Sequence, residues 1–238
     1  MKKLFLTAGI APDETGPRRE LFEFAESTFK PYAMKHGYDY RAAWYDNIDV
    51  KRWPGIVEGR TPLWKNHGNR TSPCWLKIPA IAEALEHYDF VLYVDHDAVV
   101  LDDSEDAYYA LQLDLGMVNT FIGGPCIGFV LCWSSPAMKR FWREAWDIDA
   151  WKTAMWTDNG QVLSLLGYTT TAPAIWLKPT GYTPYFQPLP EPWGGVGAPY
   201  GGKPFDCARI WHVAYHSDPA WKLAVMKSAV QRWKEKRL

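Results

Sequence analysis

The chain has 238 residues, enough for one domain with a substantial core. Its 47% hydrophobic content excludes intrinsic disorder, and 26 basic against 27 acidic residues leave a formal net charge of −1. Bulk electrostatics therefore gives no general pull toward nucleic acid or an anionic membrane, and any polyanion contact has to be local.

Met1 to Ile10 carries two lysines before an apolar run, but Pro12, Asp13 and Glu14 end that run too early for a signal peptide or a membrane span. Lys3 to Ile10 reads as the first strand. Thr7-Ala8-Gly9 at its end lets a ligand approach the backbone closely. A helix follows: Pro17 suits a first turn, Phe22, Ala25, Phe29, Tyr32, Ala33 and His36 recur at helical spacing, Pro31 marks a kink and Gly37 a stop. Tyr38 to Trp44 is a second strand, and strand–helix–strand predicts a parallel βαβ unit.

Between Tyr45 and Pro73 periodicity is lost, and Pro and Gly punctuate a long loop holding Arg52, Arg60, Lys65, His67 and Arg70. The spacing of Ile78, Ile81, Leu85 and Tyr88 predicts a helix over Cys74 to Tyr88 with one apolar face. Lys77 near its start is either a solvated charge or a contact for substrate phosphate.

Phe90 to Val94 is a run of β-branched and aromatic residues, the pattern of a strand covered on both faces. It breaks into Asp95-His96-Asp97. Ligands of open α/β sheets bind where strands end, and two carboxylates one residue apart there can share a hard divalent cation that keeps positions free for phosphate oxygens. Two adjacent charges at the end of a buried strand are costly without a partner. Asp147-Ile148-Asp149 repeats the string after a helical pattern, where solvated carboxylates are the simpler explanation.

Downstream, Leu101 to Asp106 reads as a polar entry to a helix ending near Leu113. Gly116 to Asn119 and Ile127 to Cys132 read as strands, Pro136 to Trp146 as a helix, and Thr157 to Leu166 as another that begins with Asp158. Asp158 is an N-cap or, beside the metal site, a holder for an acceptor hydroxyl. Thr169 to Pro204 reads as an irregular lobe with one short strand around Ile175-Trp176-Leu177. Arg209 to His216 returns to strand character. His212 or His216 there can complete a site for a borderline cation such as Mn²⁺, and position favours His212, because His216 is followed by a Ser-Asp-Pro turn. Trp221 to Leu238 closes as a helix with a basic exposed side. The 14 tryptophans are mostly core packing, with a minority available for sugar or base stacking. Cys74, Cys126, Cys132 and Cys207 lack Cys-x-x-Cys spacing, so reduced thiols and a cytoplasmic location are expected.

Trp75-Leu76-Lys77-Ile78-Pro79-Ala80-Ile81, Leu92 to Ala98, Ile127 to Leu131 and Asp158-Asn159-Gly160 resemble, in order, the GT-A glycosyltransferases of the galactosyl/mannosyltransferase group, which includes xyloglucan xylosyltransferases and fungal α-1,6-mannosyltransferases. The resemblance covers roughly residues 70 to 170. It implies a single GT-A domain over 1–238 with a mostly parallel mixed sheet flanked by helices, a nucleotide-binding half at 1–100 and an acceptor and donor-sugar half at 101–238. It implies Mn²⁺ or Mg²⁺ on Asp95, Asp97 and His212, with Asp95 also on the donor diphosphate, Thr7 and Ala8 lining the nucleotide, Lys77 near the donor, and Asp158 near donor sugar and acceptor. Cys126 and Asn159 depart from the family, which has Asn and Gln at those places. The expected activity is retaining transfer from a nucleotide sugar to a hydroxyl of a glycan or other acceptor, a modified nucleic acid included. A nucleotidyltransferase or diphosphatase on the same site, and a catalytically silent carbohydrate-binding protein, are the alternatives.

Overall fold

Alternation explains the central strand. In the computed structural model, β3 (Phe90–Val94) is buried at every residue, with Phe90, Leu92 and Val94 in one apolar cluster and Val91 and Tyr93 in the other. Successive side chains of a strand point to opposite faces, so an unbroken apolar run is what a strand with helices on both sides requires. Each such side chain contributes about 1.5–3 kcal/mol by leaving water, which makes β3 intolerant of polar substitution. The structure describes residues 1–8, 15–43, 53, 73–119, 124–148, 158–169, 176–190, 193–196, 208–213 and 218–236.

Around β3 the chain builds a six-stranded mixed sheet in the order β2-β1-β3-β6-β5-β7, from β1 (Lys3–Ala8), β2 (Asp39–Ala43), β5 (Leu115–Asn119), β6 (Pro125–Trp133) and β7 (Phe186–Leu189). β1 is parallel to β2 and to β3, β6 is antiparallel to β3 and β5, and β7 is parallel to β5. The helix α1 (Pro17–Lys35) and the closing helix α5 (Pro219–Glu235) cover one face; α2 (Lys77–Ala84), α3 (Pro136–Asp147) and α4 (Asp158–Leu166) cover the other. The expected βαβ start is present: Pro17 opens α1, Pro31 lies inside it, and Gly37 at φ 68° ends the turn before β2. That positive φ carries no Cβ penalty for glycine alone.

A second, three-stranded sheet in the order β4-β9-β8 joins β4 (Ala98–Val100), β9 (Ile210–His212) and β8 (Gly195–Val196). Ala98 pairs with His212 in the antiparallel β4–β9 ladder, and Val213 N–H donates to the Asp97 carbonyl at 2.9 Å. This ladder sets His212 beside the carboxyl end of β3.

Several elements differ from expectation. α2 is shorter than Cys74–Tyr88, preceded by a 3₁₀ turn at Pro73–Leu76, and it is buried nearly all round rather than on one face because it lies between the sheet and α3. No helix runs to Leu113: Asp106 caps a single 3₁₀ turn, Ala107–Ala110, and the Gln187 side chain takes the N–H groups of Gln112 and Leu113 that a helix would need. Within 169–204 the described residues supply β7 and β8, and Trp176 forms an isolated bridge to Tyr168, with Ile175 outside the described residues. Among the described tryptophans Trp75, Trp142 and Trp146 are fully buried, while Trp176 is exposed. Arg52, Arg60, Lys65, His67 and Arg70 of the basic loop, His216, Cys207 and Asp149 lie outside the described residues. No helix among the described residues is long and apolar enough to cross a membrane.

Candidate metal centre

At the end of β3 the chain turns at Asp95-His96-Asp97 and enters β4. Asp95 N–H donates to the Gly128 carbonyl at 2.9 Å, which fixes the turn to β6. One donor atom each from Asp95, Asp97 and His212 lies within 4.8 Å of the others. His212 Nε2 is 2.9 Å from Asp97 Oδ1 and 3.6 Å from Asp95 Oδ2. Oxygen and imidazole donors at this convergence fit a divalent cation such as Mn²⁺ or Mg²⁺. The cradle is a space that a single methyl would fill: a Cβ on Gly128 would stand 2.4 Å from His212 Cε1 and 2.9 Å from Asp95 Oδ2.

Gly128 reaches this position through an irregularity in β6. Val118 of β5 pairs with Cys126 while the preceding Met117 pairs with Val130, so Ile127, Gly128 and Phe129 pass without partners on β5. Such bulges re-aim a strand and recur beside active sites.

Cations surround the carboxylates. Lys77 Nζ is 2.8 Å from Asp95 and 3.2 Å from Asp158 Oδ2, and Tyr93 Oη donates to Asp95 Oδ1 at 2.6 Å. Lys77 is 6% exposed, which excludes the solvated-charge reading. Lys222 of α5 pairs with Asp97 Oδ2. Burial pushes both carboxyls toward the neutral form, but Lys77 and His212 outweigh it at Asp95, and His212 and Lys222 outweigh it at Asp97, so both are held below the usual carboxylate range. Burial would likewise lower the His212 pKa, yet the charge and hydrogen bond of Asp97 raise it to about 10. His96 shows the opposite balance: burial dominates and lowers its pKa, and its Nδ1 sits 3.1 Å from the Ala8 carbonyl oxygen.

The expected residues are thus mostly brought together, with differences in detail. Asp95, Asp97 and His212 converge, with Lys77 and Asp158 directly behind Asp95. Thr7 is fully buried with an unpartnered Oγ1, and Ala8 touches the site through His96. Asn159 bonds to the start of β6: its Oδ1 accepts from Ile127 N–H at 3.0 Å and its Nδ2 donates to the Pro125 carbonyl at 3.1 Å, locking α4 onto β6. Sequence reasoning missed Gly128 and Lys222. An isolated glycine inside a strand pattern is a signal of close approach that would have found the first; Lys222 was grouped with the exposed basic side of α5, and nothing in its spacing distinguishes it.

No protein-family model matches the sequence, and no curated protein matches it. Solved structures do. A glycosyltransferase involved in the glycosylation of the major capsid of PBCV-1 aligns over 95% of this chain and 100% of its own, at 12% identity and a TM-score of 0.59. The galactosyltransferase LgtC, in complex with donor and acceptor sugar analogs, aligns over 98% of this chain and 96% of its own, at 12% identity and a TM-score of 0.50. The glycosyltransferase GlyE of Streptococcus pneumoniae TIGR4 aligns over 99% of this chain and 64% of its own, at 14% identity and a TM-score of 0.54. At these identities the likeness is one of architecture: this chain is a single α/β domain with the GT-A fold.

Proposed function

We propose that this protein is a divalent-cation-dependent glycosyltransferase that moves a sugar, with retention, from a nucleoside-diphosphate donor to a hydroxyl of a glycan acceptor. The observation that carries the reading is the convergence of Asp95, Asp97 and His212 within 4.8 Å at the carboxyl end of the central strand of a GT-A fold. A bound Mn²⁺ or Mg²⁺ supplies Lewis-acid neutralisation of the departing diphosphate. Asp95, Asp97 and His212 hold that ion. Lys222, paired with Asp97 Oδ2, adds a positive charge beside the same carboxylates. The burial of Lys77 and Asp158 supports assigning them to holding the Asp95 carboxylate in place rather than to contact with the sugar. The end of β1, Thr7 and Ala8, is assigned to the nucleotide, because Ala8 is tied through His96 to the turn that carries both carboxylates. Stereochemical retention and the likeness to mannosyl- and xylosyltransferases rest on the resemblance of the motifs.

Screening nucleotide sugars with Mn²⁺ by thermal shift tests the reading. A true donor at 100 times its Kd stabilises by about 2.7 kcal/mol, and at about 2–4 °C per kcal/mol for a chain of this size that is roughly 5–11 °C. No shift with any nucleotide sugar in the presence of Mn²⁺ contradicts it. Measuring nucleoside-diphosphate release with and without a sugar acceptor then separates transfer from simple diphosphate cleavage.

A further inference from the structure

Each carboxylate at the end of β3 turns one oxygen toward His212, and in each the other oxygen is held by a donor of the protein. His212 Nε2 stands 2.9 Å from Asp97 Oδ1 and 3.6 Å from Asp95 Oδ2. The far oxygen of Asp95, Oδ1, accepts from Tyr93 Oη at 2.6 Å. Lys77 Nζ lies 2.8 Å from both Asp95 oxygens, so it occupies the plane that bisects the carboxylate, the plane in which a cation chelated by both oxygens has to lie. The far oxygen of Asp97, Oδ2, is paired with Lys222, whose side chain is 14% exposed.

The start of α5 puts Lys222 there. Asp218 caps the helix by accepting Ala220 N–H at 2.9 Å, Lys222 N–H donates to the Asp218 carbonyl at 3.1 Å, and the next residue, Leu223, is buried in the core. A cation in the opening turn of a helix works against the helix dipole, and the Asp97 carboxylate offsets that cost. The number of oxygens left open bears on which cation fits. Ca²⁺ takes about 6–8 oxygen ligands and often binds carboxylates through both oxygens, whereas the smaller Mg²⁺ demands near-octahedral geometry and keeps several waters. Mn²⁺ shares the octahedral preference and accepts imidazole.

Resting on the metal site proposed above, we propose that Lys222 is a specificity-determining residue. By holding Asp97 Oδ2, as Lys77 and Tyr93 hold Asp95, it limits the centre to one oxygen per carboxylate and selects six-coordinate Mn²⁺ or Mg²⁺ over Ca²⁺.

The test titrates Mn²⁺ and Ca²⁺ separately into the parent, Lys222→Met and Lys222→Arg by calorimetry and reads the ratio of the Ca²⁺ Kd to the Mn²⁺ Kd. Losing the ammonium charge strengthens both cations by a common factor, since both carry the same charge, and His212 is present in every protein, so neither effect moves the ratio. In Lys222→Met the freed Oδ2 can chelate, and the ratio is expected to fall at least about tenfold, the scale on which a changed partner of a metal ligand acts. Lys222→Arg keeps charge and donor and is expected to keep the parent ratio. Infrared difference spectra of the Ca²⁺-loaded proteins are expected to show a bidentate carboxylate signature in Lys222→Met that the parent lacks. A change in Lys222→Met that is equal for the two cations, in either direction, overturns the selectivity role while leaving the metal site standing, as does a parent that binds Ca²⁺ as tightly as Mn²⁺. A parent that binds no Mn²⁺ overturns both.

Discussion

Placing a methyl group at Gly128 sets two effects of known size against each other. Gly128 lies inside β6, and conformational terms alone favour alanine in a strand interior by about 0.5–1 kcal/mol. Against this, the new Cβ would stand 2.4 and 2.5 Å from His212 Cε1 and Nδ1 and 2.9 Å from Asp95 Oδ2. These are not ends of flexible side chains. The ring is held in the β4–β9 ladder and against Asp97, and the carboxylate is held by Lys77 and Tyr93. Overpacking a site that cannot give way costs about 1–3 kcal/mol, so the steric term wins and Gly128→Ala is expected to lose about 1–2 kcal/mol, about 2–8 °C in Tm at this chain length. Displacing His212 also removes a cation ligand, so Mn²⁺ binding is expected to fall with stability. Urea unfolding followed by tryptophan fluorescence, together with Mn²⁺ titration, measures both. A Gly128→Ala protein that is more stable than the parent and binds Mn²⁺ equally well refutes the packing argument.

Three further outcomes follow from the charges and burial. Asp97→Asn loses the partner of His212 and Lys222, and since hydrogen bonds to charged groups contribute about 1.5–3 kcal/mol, it is expected to destabilise by that order at pH 7. Because the folded Asp97 pKa is depressed, this contribution is present above the ordinary carboxylate range and lost as pH falls through the folded value, so parent and variant should converge in acid; a difference that grows on acidification contradicts the assignment. Lys77→Met strands the buried Asp95 and Asp158 carboxylates and is expected to cost about 3–5 kcal/mol, most at neutral pH and less as Asp95 protonates, read from denaturation midpoints at pH 5 and 8; a flat, small cost would mean that Lys77 and Asp95 are not coupled. Burial pushes the Cys132 thiol up to about 12, so native protein at pH 8 is expected to leave it unalkylated by iodoacetamide until denaturant is added, and rapid native labelling in a mass-spectrometric peptide map contradicts its burial.

The core was legible because its pattern is local. A run such as Phe90–Val94 has one packing solution, and the α1 stop at Gly37 and the Pro136 start of α3 follow from backbone sterics. The Asp95–Asp97 pair was legible because charges at the end of a buried strand need a partner. What escaped depends on side chains distant in sequence. Gln187 draws residues 112 and 113 out of a helix from 75 and 74 positions away, and Lys222 crosses 125 positions to Asp97. The same distance explains Lys77, whose partner Asp158 lies beyond the four strands β3 to β6 and the helix α3, so a charge that local pattern leaves undecided becomes buried and paired. Asn159 was read by its difference from a family residue, whereas its two hydrogen bonds to β6 give it a positional role of its own.

The central claim is cation-dependent cleavage of a nucleotide sugar at Asp95, Asp97 and His212. Its most direct measurement is nucleoside-diphosphate release from the donor identified by thermal shift, for the parent and Asp97→Asn, with Mn²⁺ and after chelation. Release that requires Mn²⁺ and is lost in an Asp97→Asn protein with an unchanged circular-dichroism spectrum is the predicted result; release that persists through both chelation and the substitution contradicts the account.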